Sequence, residues 1–179
     1  GTLWRFKDAG LTRPVTSQAL ESAIPEALRD PEGHWFGLAK RYRGIAYDSE
    51  RVSPEAVDAF TKLADTAMEG EICARSSSNI YNLSLLGHLL ETQGAEAAEA
   101  WAGSVATNLA REPAGGDTDQ IKAVAAVACS VSISNHYYWV RLSTSESEAD
   151  REVAAKTAFA FADAGDGPHV NVTAGAVAA

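Results

Sequence analysis

The chain has 179 residues, of which 46% are hydrophobic and 22% charged, and its net charge is −9 with a pI near 4.9. This length allows one domain with a sizeable core, and the acidity argues against nucleic-acid binding, which needs a basic face. No apolar run reaches the roughly 18 residues of a membrane span, and residues 1–5 lack the charged-then-apolar pattern expected of a secretion signal. The acidity fits a ligand that is a cation or a cation complex.

The first half of the chain predicts short helices and strands in alternation. In order, we expect a helix over residues 17–28 limited by Pro25, a turn at 30–33, strands over 34–38 and 44–47 separated by the basic stretch 40–43, a helix from Pro54 with an apolar face to 64, and a strand over 71–74.

The second half predicts longer helices around one central strand. In order, we expect a largely buried helix over 81–91, a helix over 95–109, a helix over 117–128 capped by Asp117 or Thr118, a strand over 130–135, a charged helix over 146–156 and a strand over 169–172. The alternation of strands with helices favours an α/β domain.

Two cysteines, Cys73 and Cys129, each lie in a strand-like run. One interpretation is a pair of buried thiols that pack as small apolar side chains. The other is a disulfide, which an oxidising compartment outside the cytoplasm permits. The sequence leaves both open.

A group of tyrosines carries the clearest functional signal. Tyr137 and Tyr138 are adjacent, and Tyr81 ends a serine-rich run over residues 76–81. Phenolate is a hard anionic oxygen ligand, the kind that Fe(III) prefers. The alternative is a strand end at which one ring packs and the other lies at the surface.

Four segments around these tyrosines match a known family in order and approximate spacing. They are residues 35–38 (WFGL), 75–82 (RSSSNIYN), 115–125 (GGDTDQIKAVA) and 135–138 (NHYY). From Leu3 to about Ala176 the chain resembles the bacterial ferric-iron-binding proteins, the extracytoplasmic substrate-binding components of iron ABC transporters. The resemblance implies a periplasmic or extracytoplasmic protein.

The resemblance implies an α/β fold of the type II periplasmic-binding-protein class, with two lobes and a ligand cleft. We expect the chain to be a fragment that is mainly one lobe. Residues 1–43 would be a partial first lobe and hinge, 44–150 the second lobe, and 151–179 a return segment to the first lobe.

The resemblance also implies the site. Tyr81, Tyr137 and Tyr138 would coordinate Fe(III), with further ligands from the first lobe or from a synergistic anion such as carbonate. The expected anion or supporting residues are Ser76, Ser77, Ser78, Asn79, Asn135 and Arg141. For the serine-rich turn the alternative is simple N-capping by Ser78 or Asn79. His136 replaces the small hydroxyl residue usual in the family, which affects the expected loop geometry.

The expected function is capture of ferric iron through tyrosine phenolates for delivery to an ABC importer permease. The alternatives are a lobe fragment that retains the fold without binding, or a binding protein for another small anionic or chelated ligand. An enzyme is not expected, because Ser76–Ser78, His88 and Asp117 lack the sequence context of a hydrolase. Aromatic side chains in the two terminal segments predict either that these segments pack on each other or that a homodimer buries them.

Overall fold

The computed structural model describes residues 2–162 and 168–179. Its helices are α1 Thr2–Asp8, α2 Gln18–Ala23, α3 Ile80–Gln93, α4 Ala95–Thr107, α5 Asp117–Ala125, α6 His136–Ser143 and α7 Glu148–Ala155. Its strands are β1 Thr12–Arg13, β2 Phe36–Asp48, β3 Ile72–Cys73, β4 Val131–Asn135, β5 Thr157–Ala160, β6 Val170–Gly175 and β7 Val177–Ala178. The protein is therefore mixed α/β, as expected.

The described chain divides into two compact units, residues 1–41 with 171–179, and residues 42–170. In the first unit the two ends of the chain meet, because β1 pairs antiparallel with β7, Thr12 opposite Ala178. Lys7 also forms an ion pair with Asp30 at 2.9 Å. This pairing is the first of the two arrangements that the sequence allowed for the terminal segments. The lobe boundaries at residues 43 and 150 stay a prediction.

The second unit is built on a sheet with the strand order β3-β4-β2-β5. Strand β2 lies antiparallel to β4, with Ile45 opposite Ile133, and antiparallel to β5, with Ala46 opposite Phe159. Strand β3 lies parallel to β4, with Cys73 opposite Ser132. The order places β4, which leads into the tyrosine pair, in the interior of the sheet.

Alternate residues of the central strands supply two apolar layers, because successive side chains of a strand point to opposite faces. Ile45 and Tyr47 belong to the larger core, with Leu85 of α3 and Val105 of α4. Ala46 belongs to a smaller core formed by Ile121, Leu142 and Ala154 of α5, α6 and α7. The tyrosine-bearing helices α3 and α6 thus contribute to different layers.

The predicted break at the basic stretch was wrong. Residues 36–48 form one continuous strand, so the segments expected as two strands join through residues 40–43. Basic side chains do not interrupt a strand when each one is solvated or paired. Lys40 is exposed, Arg41 donates to the Val172 carbonyl at 3.2 Å, and Arg43 is buried in an ion pair with Asp117 at 3.0 Å.

The helix predicted from Pro54 to residue 64 was also wrong. The segment forms separate 3₁₀ turns, Pro54–Ala56, Phe60–Ala64 and Thr66–Met68. Its large buried side chains before residue 64, those of Val57, Phe60 and Leu63, recur every third position, which is the period of a 3₁₀ helix. The Trp101 indole donates to the Phe60 carbonyl at 2.7 Å, which fixes this segment to α4.

Two details of the predicted helices also differ. Helix α3 is amphipathic rather than largely buried: Leu85 and Leu89 are buried, whereas Leu83 and Leu90 are 50% and 45% exposed. Helix α5 has Gly116 as its N-cap residue, not Asp117 or Thr118. The Gly116 N–H donates to Asp119 Oδ2 at 2.7 Å, which leaves the Asp117 carboxylate for other contacts.

Cys73 and Cys129 form a disulfide, with their Cα atoms 5.9 Å apart and a sequence separation of 56. The bond joins β3 to the residue two positions before β4. It therefore constrains the two segments that lead to Tyr81 and to Tyr137.

Candidate ferric-iron site

Tyr81 lies in the first turn of α3, directly after the serine-rich turn. The Asn79 side chain caps this helix by accepting the Tyr81 N–H at 3.0 Å. The Asn82 amide donates to the Arg75 and Ser76 carbonyls at 3.0 and 3.1 Å and closes the turn. Ser76, Ser77 and Ser78 are exposed, and the Ser76 and Ser78 hydroxyls are 2.8 Å apart. The capping role that the sequence left open for Asn79 is confirmed.

Tyr137 and Tyr138 lie in the first turn of α6, which begins where β4 ends. Their rings are stacked at a tilt, with centroids 4.3 Å apart. The Tyr137 hydroxyl donates to the Tyr81 hydroxyl oxygen at 3.3 Å. Two oxygens that share one octahedral ion at about 2 Å lie roughly 3 Å apart. The geometry of Tyr81 and Tyr137 therefore fits a common ion.

Tyr138 is half-buried, and its side chain contributes to packing. Its ring packs against the smaller core of Ala46, Ile121, Leu142 and Ala154. Arg141 lies over the same ring, with Cζ 5.9 Å from the centroid. The structure thus brings all three predicted tyrosines to the N-terminal turns of two helices, and it places Arg141 beside Tyr138.

A buried arginine that sequence reasoning missed lies beneath the tyrosines. Arg43 is 0% exposed and forms an ion pair with Asp117, also 0% exposed, at 3.0 Å. Its Nη1 donates to Asn135 Oδ1 at 3.1 Å, and its Nη2 donates to Asn82 Oδ1 at 2.5 Å. Arg43 belongs to the basic stretch that was predicted to separate two strands, so its inward position was not foreseen. The alternation of a continuous strand is the signal that would have shown it.

Asp117 and Asn135 complete this polar network. Asp117 also accepts from Arg75 Nη1 at 3.2 Å and from the Asn135 backbone N–H at 2.9 Å. The Asn135 amide donates to the Tyr137 hydroxyl at 3.3 Å. Asn135 therefore lies where the sequence analysis expected it, in contact with Tyr137.

The network places positive charge close to the phenols. Burial lowers the pKa of the Arg43 guanidinium, and the carboxylate of Asp117 opposes that shift. Asp117 is one carboxylate shared by two guanidiniums. The Cζ atoms of Arg43 and Arg75 lie 5.8 and 5.6 Å from the Tyr81 ring centroid. The two guanidiniums therefore place positive charge next to the Tyr81 ring.

The histidines lie outside the phenol cluster or at its edge. The His136 ring contacts those of Tyr42 and Tyr137, and its Nδ1 lies 3.2 Å from the Tyr42 N–H nitrogen. His88 and His169 pack together, with ring centroids 5.1 Å apart. Asp117 does not act as the acid of a hydrolase triad in this structure, because its carboxylate forms ion pairs with Arg43 and Arg75.

Within residues 2–162 and 168–179, no group of three or more His, Cys, Asp or Glu side chains could hold a metal ion. The oxygen donors brought together in this part of the chain are instead phenolic. The described part of the chain also contains no helix long and apolar enough to cross a membrane.

The chain belongs to the family of bacterial extracellular solute-binding proteins, which matches residues 2–174. Among curated relatives, iron uptake protein A1 of Synechocystis is 46% identical over 124 residues, and iron uptake protein A2 of the same organism is 43% identical over 126 residues. These alignments cover 69% and 70% of this chain but 34% and 36% of the relatives. The chain thus spans about a third of the length of these proteins.

Solved structures give the fold over the whole chain. Apo FutA2 from Synechocystis has a TM-score of 0.93 at 41% identity, and covers 100% of this chain with 58% of its own. Trichodesmium FutA in complex with iron and citrate has a TM-score of 0.94 at 43% identity, and covers 99% of this chain with 56% of its own. A ferric binding protein from Campylobacter jejuni has a TM-score of 0.91 at 35% identity, covering 98% of this chain with 56% of its own.

These likenesses confirm the type II periplasmic-binding-protein fold and the recognition of the family from its motifs. The chain corresponds to a single-lobe portion of that fold. The relatives are iron uptake proteins and ferric-binding proteins of transport systems, and the family is one of solute-binding proteins rather than enzymes.

Proposed function

We propose that this chain captures ferric iron through the phenolates of Tyr81, Tyr137 and Tyr138, as part of a periplasmic binding protein that delivers iron to an ABC importer. The observation that carries the proposal is the 3.3 Å approach of the Tyr81 and Tyr137 hydroxyls, with Tyr138 stacked on Tyr137. Phenolic oxygens are hard anionic donors that suit Fe(III). The names of the relatives point to the same cargo.

The proposed chemistry is proton-coupled. A tyrosine keeps its proton up to a pKa of about 10 in water, so the ion itself must displace the phenol protons. Binding then releases protons, and acidification favours release of the ion. The positive charge of Arg43 and Arg75 assists the same step by favouring anionic oxygens nearby.

The finer roles of the remaining site residues are part of the proposal. Ser76, Ser77, Ser78 and Asn79 surround the start of α3 and would contact a synergistic anion such as carbonate. Asn135 would hold Tyr137 in place through its hydrogen bond. Arg141 would act on the phenolate of Tyr138, over whose ring it lies.

The proposed partner is the permease of an iron ABC importer. Pairing of β1 with β7 supports packing of the terminal segments on each other, the alternative to a homodimer of this chain. Light scattering separates the two, since a homodimer doubles the measured mass.

A double variant tests the proposed ligands. Tyr137→Phe with Tyr138→Phe removes two oxygens and keeps both rings, so the fold should survive and iron retention after dialysis against citrate should be lost. Tyr47→Phe is the matched control, because Tyr47 lies in the larger core. Iron retention by the double variant equal to that of the control would place the iron elsewhere.

A further inference from the structure

Arg43 connects the two segments that carry the phenols. Its guanidinium reaches Asn82 of α3, the residue after Tyr81, and Asn135 of β4, whose amide bonds to the Tyr137 hydroxyl. It also reaches Asp117 of α5 and, at 3.4 Å, the Ile133 carbonyl. One buried side chain thus has contacts on both sides of the phenol pair.

We propose that Arg43 is the positioning residue that sets the separation of the Tyr81 and Tyr137 oxygens before iron arrives. The inference rests on the proposed function for its effect on iron, whereas the geometric part concerns the iron-free protein. Arg43 does not itself supply an oxygen to the ion.

The shape of the guanidinium is what makes this role specific. It is planar, and its N–H groups point in fixed directions, so acceptors bound to it are held at fixed angles to one another. Nη1 donates hydrogen bonds to Asp117 and Asn135, while Nη2 donates to Asn82. A lysine would keep the charge but not this divergent set of directions.

The burial of the Arg43–Asp117 ion pair supports a role in positioning in addition to any role in stability. Replacing a buried ion pair by apolar residues of similar volume is often neutral or stabilising, so stability alone does not account for Arg43 and Asp117 at this position. Each acceptor around Arg43 is instead tied to a phenol-bearing segment. Asp117 accepts the Asn135 N–H at 2.9 Å and so fixes the end of β4, directly before α6.

The test compares Arg43→Lys with Asn108→Ala. Asn108 is also buried, and its amide bonds to the Leu63 and Asp65 carbonyls, away from the tyrosines. It therefore controls for loss of buried hydrogen bonds. The first readout is the NMR ring resonances of Tyr81 and Tyr137 in the iron-free protein with isotope-labelled tyrosine. The second is affinity for ferric nitrilotriacetate.

We expect Arg43→Lys to shift both tyrosine resonances and to weaken ferric affinity by roughly 10- to 100-fold, the range found when groups that orient metal ligands are lost. Asn108→Ala should leave both readouts as in the wild type. Unshifted resonances in Arg43→Lys would overturn the inference. This readout needs no iron, so it decides the inference even if the wild-type chain fails to bind iron and the proposed function falls.

A second pair of variants keeps the test decisive if Arg43→Lys does not fold. Asn82→Ala removes the acceptor for Arg43 together with the amide bonds to the turn, whereas Asn82→Asp keeps an acceptor and loses only the amide donors. We expect Asn82→Ala to shift the Tyr81 resonance much more than Asn82→Asp does. Equal shifts would assign the effect to the turn and contradict positioning by Arg43.

Discussion

His169 is a buried imidazole whose surroundings favour its neutral form. Its Nε2 lies 3.1 Å from the Ser84 hydroxyl, and His88 packs against its ring. Burial, followed by the nearby His88 and Arg43, lowers the pKa of His169 from 6.5 to about 4. Protonation of this ring is therefore easier in the unfolded chain than in the folded protein.

This shift predicts a pH-dependent stability. As the pH falls from about 6.5 to about 4, the unfolded state gains a proton at His169 that the native state lacks, so the free energy of unfolding should fall by up to about 3 kcal/mol. Urea unfolding at a series of pH values measures the loss. His169→Gln should remove this part of it, and an identical loss in the variant and the wild type would contradict the assignment.

At the residue scale, the sequence motifs predicted the three tyrosines but not the buried Arg43 and Asp117 near them. The tyrosine motifs were recognisable because their residue types are rare and closely spaced. Arg43 and Asp117 are common residues whose importance comes from burial and from partners 74 positions apart in the chain. Such a pair depends on strand register, which local sequence does not specify.

Gly44 of β2 lies close against Phe159 and Ala160 of β5. A Cβ built at this position meets the Ala160 carbonyl oxygen and comes within 2.7 Å of the Phe159 ring. Gly44→Ala should therefore lower the free energy of unfolding by about 1–3 kcal/mol through overpacking. Urea unfolding provides the measurement.

Gly87 of α3 is the matched control for that substitution. A Cβ at Gly87 meets nothing within 4 Å. Gly87→Ala should therefore raise the free energy of unfolding by about 0.5–1 kcal/mol, because alanine loses less backbone freedom in a helix. Similar effects of the two substitutions would mean that the contact at Gly44 relaxes at little cost.

The disulfide links the segments before Tyr81 and before Tyr137. Closing a loop of this size stabilises a protein by about 4 kcal/mol in the chain-entropy model. The double variant Cys73→Ala with Cys129→Ala should lose about that much unfolding free energy, and a reducing agent should destabilise the wild type alone. A variant as stable as the oxidised wild type would show that the bond adds no stability.

At the element scale, the sequence predicted helices α3, α4, α5 and α7 and strand β4, but it missed α6, the helix that carries Tyr137 and Tyr138. Strand β2 was predicted as two strands because its basic residues were interpreted as a break. The strands that pair with residues 43–48 lie over 80 residues further along the chain, so local sequence does not reveal the pairing. The 3₁₀ turns after Pro54 share apolar spacings with an α-helix over a single turn. In both cases the local sequence pattern is compatible with two secondary structures, and tertiary packing determines which one forms.

At the scale of the whole chain, the sequence motifs identified both the family and the fold. The family matches residues 2–174, yet the chain covers 34% and 36% of the curated iron uptake relatives. The type II fold was predicted through motifs spread along the chain. The proposed ligand set rests on the contact between the Tyr81 and Tyr137 hydroxyls, which joins residues 56 positions apart in the chain.

Binding of Fe(III) on tyrosine phenolates, as proposed for this chain, can be measured by a visible-light titration with ferric nitrilotriacetate. Phenolate bound to Fe(III) gives a ligand-to-metal charge-transfer band, which neither free phenol nor the chelate alone provides. We predict that the band grows to saturation as iron is added to the wild type and is absent from the variant with Tyr137→Phe and Tyr138→Phe. A wild type that shows no band, or a double variant that shows the full band, would contradict the claim.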